Sequence, residues 1–465
     1  MKVLLINISL RPESPRLMPP VGLAYIATAI DRAGYELEII DIDAHRYSDA
    51  EVEEMLKSKE YDVAGMGCII TGYKTVKRLA GIIKKYKNVP VMVGNSVATS
   101  IPELLLKNTE VDIAVIGEGD ITAVEVLGAI EKKEHLSSVK GIYYKENGQI
   151  FATPPREPIA DIDSIPVINW SLFNMDIYLE KSRLHIDEPY PPIPFDQLKS
   201  VPINTARGCA FRCTFCYHVF RDYKYRIRSP QNIFEEIITL KEKYGFNYVN
   251  LFDELTFYSI PQVESFLDTM KLYNLGVYWV ACCRGNLFRE KDIELARRLK
   301  EAGCIGLVYS LESASPEILK AMNKKITKDE FMEQTRTLRK AGLATWTSIV
   351  IGYPQETEDT LQQTFDCCYE AEIYPSTGYL LPLPGTAMYD YALETGAIKN
   401  EEEFLLNAGD RQDFLINLTK LEREKIEEIV KSNLQRISEK LKIDLDESCL
   451  IKTGHYRAKA ADGGE

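Results

Sequence analysis

No stretch of this chain reaches the roughly 18 consecutive apolar residues that a membrane-spanning helix requires, so no membrane span is predicted. Basic residues are in deficit: 56 Lys and Arg stand against 69 Asp and Glu, for a net charge of −13. That balance excludes broad nucleic-acid binding, which needs a basic surface to displace counterions. The run Arg221-Asp222-Tyr223-Lys224-Tyr225-Arg226-Ile227-Arg228 reads equally as a small basic site or as a solvated face. The N-terminal MKVLLINISLRPESP has an apolar run that stops at Arg11-Pro12, with no small-residue cleavage site after it. It reads as a buried strand rather than a signal peptide, and a cytoplasmic protein is expected.

Only 5 histidines and 10 cysteines are present. The pairs Cys282-Cys283 and Cys367-Cys368 sit in apolar segments, and Cys68, Cys304 and Cys449 are isolated. Without a secretion signal these read as small buried hydrophobes, not a disulfide framework. The exception is RGCAFRCTFCYH, which places Cys209, Cys213 and Cys216 in a C-x3-C-x2-C spacing.

Apolar runs alternate with amphipathic segments along the first part of the chain. Strands are predicted at Val3–Ile8, Leu37–Ile42, Tyr61–Met66, Val89–Val93 and Ile113–Ile116, with helices at Gly22–Ala33, Glu51–Ser58, Lys74–Tyr86 and Pro102–Lys107. Continuous apolar strands separated by helices indicate a parallel sheet covered on both faces, hence a doubly wound, Rossmann-like domain over residues 1–140. A hairpin around Asn147-Gly148 opens a connector, residues 141–198, rich in proline and aspartate and with little regular structure expected. Alternation restarts at residues 199–385, with strands near Val201–Thr205, Tyr248–Phe252, Val277–Cys282, Ile305–Leu311, Ala344–Ile351 and Glu372–Leu380. Six strand–helix units define an α/β partial (β/α)6 barrel of TIM type, too few to close in the eightfold way. Residues 386–465 read as a charged helical region ending in a disordered tail, AKAADGGE.

The three cysteines follow the first barrel strand, at the mouth where barrel enzymes keep their chemistry. Two readings stand on spacing alone. A structural zinc site would need His218 as fourth ligand; an iron–sulfur cluster on three thiolates would leave one iron open to a ligand. Polar or glycine-rich groups follow each later strand: Asp253 and Glu254, then Arg284, Gly285 and Asn286, then Glu312 and Ser313, then Gly352-Tyr353-Pro354, then Pro382 to Gly385. Together they describe a ring of ligand-binding groups at the barrel top. Tyr217, His218 and Tyr309 are placed near that mouth.

RGCAFRCTFCYH resembles the cluster motif of the radical S-adenosylmethionine (radical SAM) enzymes. The resemblance spans Val201 to about Gly385. It implies a [4Fe-4S] cluster on Cys209, Cys213 and Cys216 whose open iron chelates SAM, and cleavage of SAM to a 5′-deoxyadenosyl radical that abstracts hydrogen. It places Phe215 against the adenine. LFDEL would meet the methionine amino group, although Phe252 and Asp253 replace the usual glycines. Arg284 and Asn286, with Glu312 and Ser313, would flank ribose and carboxylate, and Gly352 would support the adenine.

The front domain is similar to the cobalamin-binding domain of the family that includes anaerobic magnesium-protoporphyrin cyclase and many C-methyltransferases. The resemblance implies a cobalamin crevice at the strand ends, with contacts from Ser9, Cys68, Ile70, Thr71, Gly72, Gly94, Asn95, Ser96, Gly117, Glu118 and Gly119. The D-x-H-x-x-G motif that supplies an axial histidine elsewhere is absent. His45 and His135 read as surface residues, leaving the cobalt's lower face to water or to a side chain from Cys68–Thr71. The function implied is C-methylation of an unactivated carbon. The compact length is similar to archaeal enzymes that methylate a glutamine of methyl-coenzyme M reductase, which makes that protein the expected partner, with an external electron donor. A peptide groove is expected from the connector and the C-terminal helices. The alternatives are a radical cyclase or rearrangement enzyme on a porphyrin, lipid or other small molecule, and a non-catalytic iron–sulfur or zinc regulator. RNA methylthiotransferases fit poorly, because the first 200 residues hold only Cys68.

Overall fold

The apolar run after Met1 forms β1 (Lys2–Asn7) at the centre of the front sheet, and its residues Val3 to Ile6 are almost wholly buried. The computed structural model describes residues 1–445, 450 and 451; Cys449 and the AKAADGGE tail lie outside the described residues. β2 (Glu36–Asp41), β3 (Val63–Gly67), β4 (Val91–Gly94) and β5 (Ile113–Val115) form a parallel sheet with it in the order β2-β1-β3-β4-β5. The chain winds in both directions from β1, and such sheets bind ligands in the crevice outside the strand C-termini where the winding reverses. Helices cap themselves locally: Ser48 and Glu51 form a reciprocal capping box before Asp49–Ser58.

The hairpin strands β6 (Ile142–Glu146) and β7 (Gln149–Ala152) continue this sheet antiparallel, with β6 on β5, giving seven strands. The expectation that the hairpin begins the connector is corrected: its residues Ile142 and Tyr144 fill the core beneath β5. The rest of the connector is also packed rather than loose. Met175–Ser182 is helical, and Trp170, Phe173, Met175 and Tyr178 join the core that runs from the front sheet into the barrel. Tyr178 donates to Asp41 (2.6 Å), and Asn7 donates to Asp41 (2.7 Å) and to the Tyr178 hydroxyl (3.2 Å). Buried aromatics thus tie the connector into the core, although most of it keeps little regular structure, as expected.

The barrel begins with β8 (Ser200–Ile203), followed by a short antiparallel ribbon of β9 (Ala206–Arg207) and β10 (Arg226–Ile227). β11 (Tyr248–Leu251), β12 (Tyr278–Cys282), β13 (Cys304–Val308) and β14 (Ala344–Trp346) extend β8 in the order β8-β11-β12-β13-β14, all parallel. β15 (Ser348–Ile351) pairs with β16 (Ser376–Tyr379), and a single bridge from Glu312 to Ile349 joins them to the main sheet. The predicted strand Ala344–Ile351 is therefore two strands. Buried Thr347 interrupts it, its hydroxyl accepting from the Leu311 N–H at 3.0 Å. Below the strands, Ile186 and Leu198 pack with Tyr248 and Ile305, and Tyr190, Ile193 and Phe195 pack against them with Tyr278, Val280 and Trp346. The connector stops the lower end of the barrel. Arg423–Leu441 packs its buried face, including Ile426, Val430 and Leu434, onto the same core.

Candidate active site between the two domains

Gly208, at φ +89°, turns the chain out of β9 and into the cysteine loop. A β-carbon there would press on Phe220 at 3.3 Å in a backbone region that side chains avoid. The β9–β10 ribbon closes the loop's base, pairing Arg207 with Arg226. Other elements pin the loop itself. The Thr214 N–H donates to the Met322 carbonyl (3.0 Å) and its hydroxyl to the Ala321 carbonyl (2.9 Å), while Asn323 donates to the Arg212 carbonyl (2.8 Å). Arg221 donates to the Cys213 carbonyl at 3.1 Å. All three cysteines are free thiols: Cys213 is buried, Cys209 half-buried and Cys216 exposed. Burial raises the Cys209 thiol above its ordinary pKa, so metal binding there must displace a tightly held proton.

Among the described residues, no three His, Cys, Asp or Glu side chains are gathered to hold one metal ion. Three thiols spread along one loop, with a buried arginine beside Cys213, fit a polynuclear cluster, whose net negative charge such a cation offsets.

The residues predicted to hold SAM divide into two groups. Phe215, half-buried, sits edge-on to Tyr353 with centroids 6.3 Å apart, and Tyr353 shares a hydrogen bond with Thr214 (2.7 Å). Glu254 lines the large cavity described below. Arg284 points at the cysteine loop, its Nη1 donating to Cys213 Sγ at 3.7 Å. The other predicted contacts are hydrogen-bonded or ion-paired within the protein, Asp253 while also lining that cavity. Asp253 accepts from the Thr205 N–H and hydroxyl (both 2.7 Å), the Ala206 N–H (3.0 Å) and Thr256 (3.0 Å). It is thus an anchor for the turn leading to the cysteines. Asn286 donates to the Lys325 carbonyl (3.2 Å). Glu312, at φ +63°, pairs with buried Lys324 (3.0 Å), and Ser313 shares a hydrogen bond with Thr364 (3.1 Å). Gly352, at φ +112°, donates its N–H to Glu356, whose carboxyl burial pushes up to about 8. Tyr309 is a packed core residue, its hydroxyl on Thr335 at 2.8 Å.

A cavity of about 550 Å³ opens between the front sheet's C-terminal edge and the barrel mouth. Gly65, Gly67, Gly94, Gly117 and Gly119 line it from the front domain. A β-carbon at Gly67 would meet nothing within 4 Å, and one at Gly94 would meet only Val115 at 4.0 Å, so any side chain there would project into the cavity. That is the cradle a large planar cofactor needs. Asn95 and Ser96 also line it. Ser96 additionally accepts from the Ile70 N–H at 2.8 Å, which sets the turn after β3.

That turn corrects the predicted contact set. Cys68 and Ile70 are buried away from the cavity, Thr71 and Gly72 do not line it, and a β-carbon on Gly72 would overlap the Cys68 sulfur. Burial pushes the Cys68 thiol up to about 12. Instead Ile69, 45% exposed, faces the cavity. Ser9 is likewise elsewhere, donating to Asp43 (2.6 Å) and accepting from Arg46 (2.9 Å). His45 and His135 are exposed, as expected. From the barrel side, Tyr217, His218 and Phe220 line the cavity. Burial, with Arg212 and Arg221 nearby, lowers His218 to about 4, so its ring is neutral. No residue of 141–198 or 386–445 lines the cavity, so the groove expected from the connector and C-terminal helices is not part of it.

A buried ion network joins the two sides. Glu118, 4% exposed at its side chain, accepts from Arg207 (2.7 Å), Arg226 (2.9 Å) and the Ile159 N–H (2.7 Å). Asp120 accepts two bonds from Arg207, both 2.9 Å. Glu118, expected to touch cobalamin, lines the cavity, and its carboxylate also clamps the front domain to the cysteine loop's base. The arginines come from the basic run read above as a site or a solvated face, and from the residue before Gly208. No local signal marks either pairing.

A glycine-lined crevice meeting a three-cysteine barrel mouth defines an enzyme with two large cofactors side by side. Comparison with known proteins agrees. A radical SAM superfamily model matches residues 203–368, and a B12 binding domain model matches residues 11–127. An uncharacterised methyltransferase of Pyrococcus horikoshii is 30% identical over 379 residues, covering 81% of this chain and 78% of that protein. The anaerobic magnesium-protoporphyrin IX monomethyl ester cyclase of Rubrivivax gelatinosus is 27% identical over 358 residues, 75% of this chain and 61% of that protein. Among solved structures, the radical SAM methyltransferase TsrM from Kitasatospora setae, with cobalamin and [4Fe-4S] cluster bound, is similar at a TM-score of 0.65 and 19% identity, over 85% of this chain and 75% of that one. The cobalamin-dependent SAM radical enzyme OxsB is similar at 0.66 and 16% identity, over 96% and 62%.

The chain belongs to the radical SAM superfamily, in the cobalamin-dependent group whose B12 binding domain precedes the radical SAM domain. Its cofactors are a [4Fe-4S] cluster, SAM and cobalamin. Among the described residues no helix is long and apolar enough to cross a membrane.

Proposed function

We propose that this protein is a C-methyltransferase acting on an unactivated carbon. The observation that carries the reading is the shared cavity: the front domain's glycine cradle and the barrel residues beside the cysteine loop line one space. When bound, the cluster with SAM supplies a substrate radical and the cobalamin supplies the methyl group. The chain's own residues do the rest. Cys209, Cys213 and Cys216 hold the cluster, Gly67 and Gly94 let the second cofactor approach the backbone, and the Glu118 clamp holds the two sites together.

The finer reading is a protein substrate, a glutamine side-chain or α-carbon position in methyl-coenzyme M reductase, with an external electron donor. A cyclase or rearrangement on a porphyrin or other small molecule is the second reading, favoured by the 27% identity to the protoporphyrin ester cyclase. Anaerobic incubation with reductant, methylcobalamin, methyl-deuterated SAM and host-cell extract separates them by mass spectrometry. A label on a protein carbon supports the finer reading, and a label on a small molecule supports methyl transfer on another substrate. SAM cleavage with product but no label supports the cyclase, and no SAM cleavage overturns the enzyme reading.

A further inference from the structure

Arg284 stands just beyond β12 and is 7% exposed. Its Nη1 donates to Cys213 Sγ at 3.7 Å, and its guanidinium lies 3.9 Å from the centroid of the Phe211 ring. Among the described residues its buried Nε and Nη2 have no hydrogen-bond partner, and no carboxylate forms an ion pair with it. The backbone holds it there: fully buried Gln334 donates to the Arg284 carbonyl (2.9 Å) and accepts from the Leu287 and Phe288 N–H groups (2.6 and 2.9 Å). A buried cation without a carboxylate costs several kcal/mol unless another anion faces it. The anion within reach is the thiolate set of the cysteine loop. A cation donating to a cluster sulfur favours the more negative, reduced cluster, because hydrogen bonds to sulfur and local charge set the potential.

We propose that Arg284 sets the reduction potential of the cluster through its hydrogen bond to Cys213, a role separate from any contact with SAM. Resting on the cluster reading above, it makes Arg284 a positioning residue for charge rather than for substrate. Redox titration of the anaerobically reconstituted full chain without SAM, followed by electron paramagnetic resonance, tests it. Arg284→Gln should lower the midpoint so that the reduced-to-oxidised ratio falls at least tenfold at fixed potential, a shift of at least about 59 mV for one electron. Arg284→Lys, which keeps the charge but not the planar fork, should fall between. An unchanged midpoint in Arg284→Gln overturns the proposal. A second measurement uses the unmodified sequence. With guanidino-15N arginine incorporated, the reduced cluster should show a weak 15N coupling by electron–nuclear double resonance. Absence of that coupling overturns the proposal even where Arg284→Gln assembles no cluster. Failure of the unmodified chain to assemble a four-iron cluster overturns the cluster reading instead.

Discussion

Replacing Glu118 with Gln tests whether the two cofactor domains are held by charge. The carboxylate is 4% exposed and faces Arg207 at 2.7 Å and Arg226 at 2.9 Å. Asp120 still pairs with Arg207 in the variant, so the uncompensated cation is Arg226, 9% exposed at its side chain, with Nε and Nη2 already lacking partners. Removing one member of a buried pair costs about 3–5 kcal/mol, because the remaining charge is left desolvated. Taking about 3 kcal/mol for a network that keeps Asp120, a cooperative unit of 150–250 residues should lose roughly 6–12 °C in Tm. The control is Glu54→Gln, which breaks an exposed pair with Lys57 and should change Tm by little, since such pairs contribute about 0–1 kcal/mol. Calorimetry of both variants and of Glu118→Gln/Arg226→Met gives the coupling. The double variant should be more stable than the sum of the single losses. A Glu118→Gln loss no larger than that of Glu54→Gln, or strict additivity in the cycle, refutes the clamp.

Glu356 titrates near 8 in the folded protein and near 4.5 otherwise, because burial penalises its charge. The folded state therefore holds the extra proton between those values, and stability should fall as pH rises from about 4.5 through 8. Glu356→Gln should flatten that slope in urea midpoints measured from pH 5 to 9; an unchanged slope counts against the assignment. His218 has the opposite sign. With a folded value of about 4 against 6.5, the unfolded state takes the proton first, so stability should fall as pH drops from 6.5 toward 4. His218→Gln should remove that part of the acid loss, read by the same midpoints. Gly117→Ala forces a side chain into φ +70° and onto the Tyr223 hydroxyl, so cobalamin absorbance retained after gel filtration should fall sharply. Gly81→Ala, with nothing within 4 Å in a helix, should retain it fully.

How far local sequence reached depended on how far each feature's partners lie along the chain. The cysteine triad was readable because its spacing lies inside one loop, and the strands because β1 and β3 are unbroken apolar runs. The turn after β3 was read one residue off. Whether Cys68 or Ile69 faces the cavity depends on the Ile70 N–H bonding to Ser96, 26 residues away. The clamping role of Glu118 was not readable because its partners Arg207 and Arg226 lie 89 and 108 residues further on. Thr347 broke a predicted strand for a similar reason: its side chain bonds the backbone of Leu311 rather than continuing a ladder.

The connector shows what composition hides. Proline and aspartate pointed to a connector with little regular structure, yet Trp170 and Tyr178 are buried in the main core and Ile193 and Phe195 pack beneath the barrel strands. A barrel of too few strands cannot fill its own lower end with strand side chains alone. Here Tyr248, Tyr278 and Trp346 are met from below by the connector, and the Trp346 indole N–H donates to the Glu188 carbonyl at 3.2 Å. The connector thereby covers this end of the strands. A substrate arriving at the mouth meets the face where Tyr217, His218 and Phe220 border the front domain's cavity. The connector and the Glu118 clamp therefore act on one problem from opposite ends. The first fills the end of the barrel that its strands leave open, and the second ties the front domain to the base of the cysteine loop at the other.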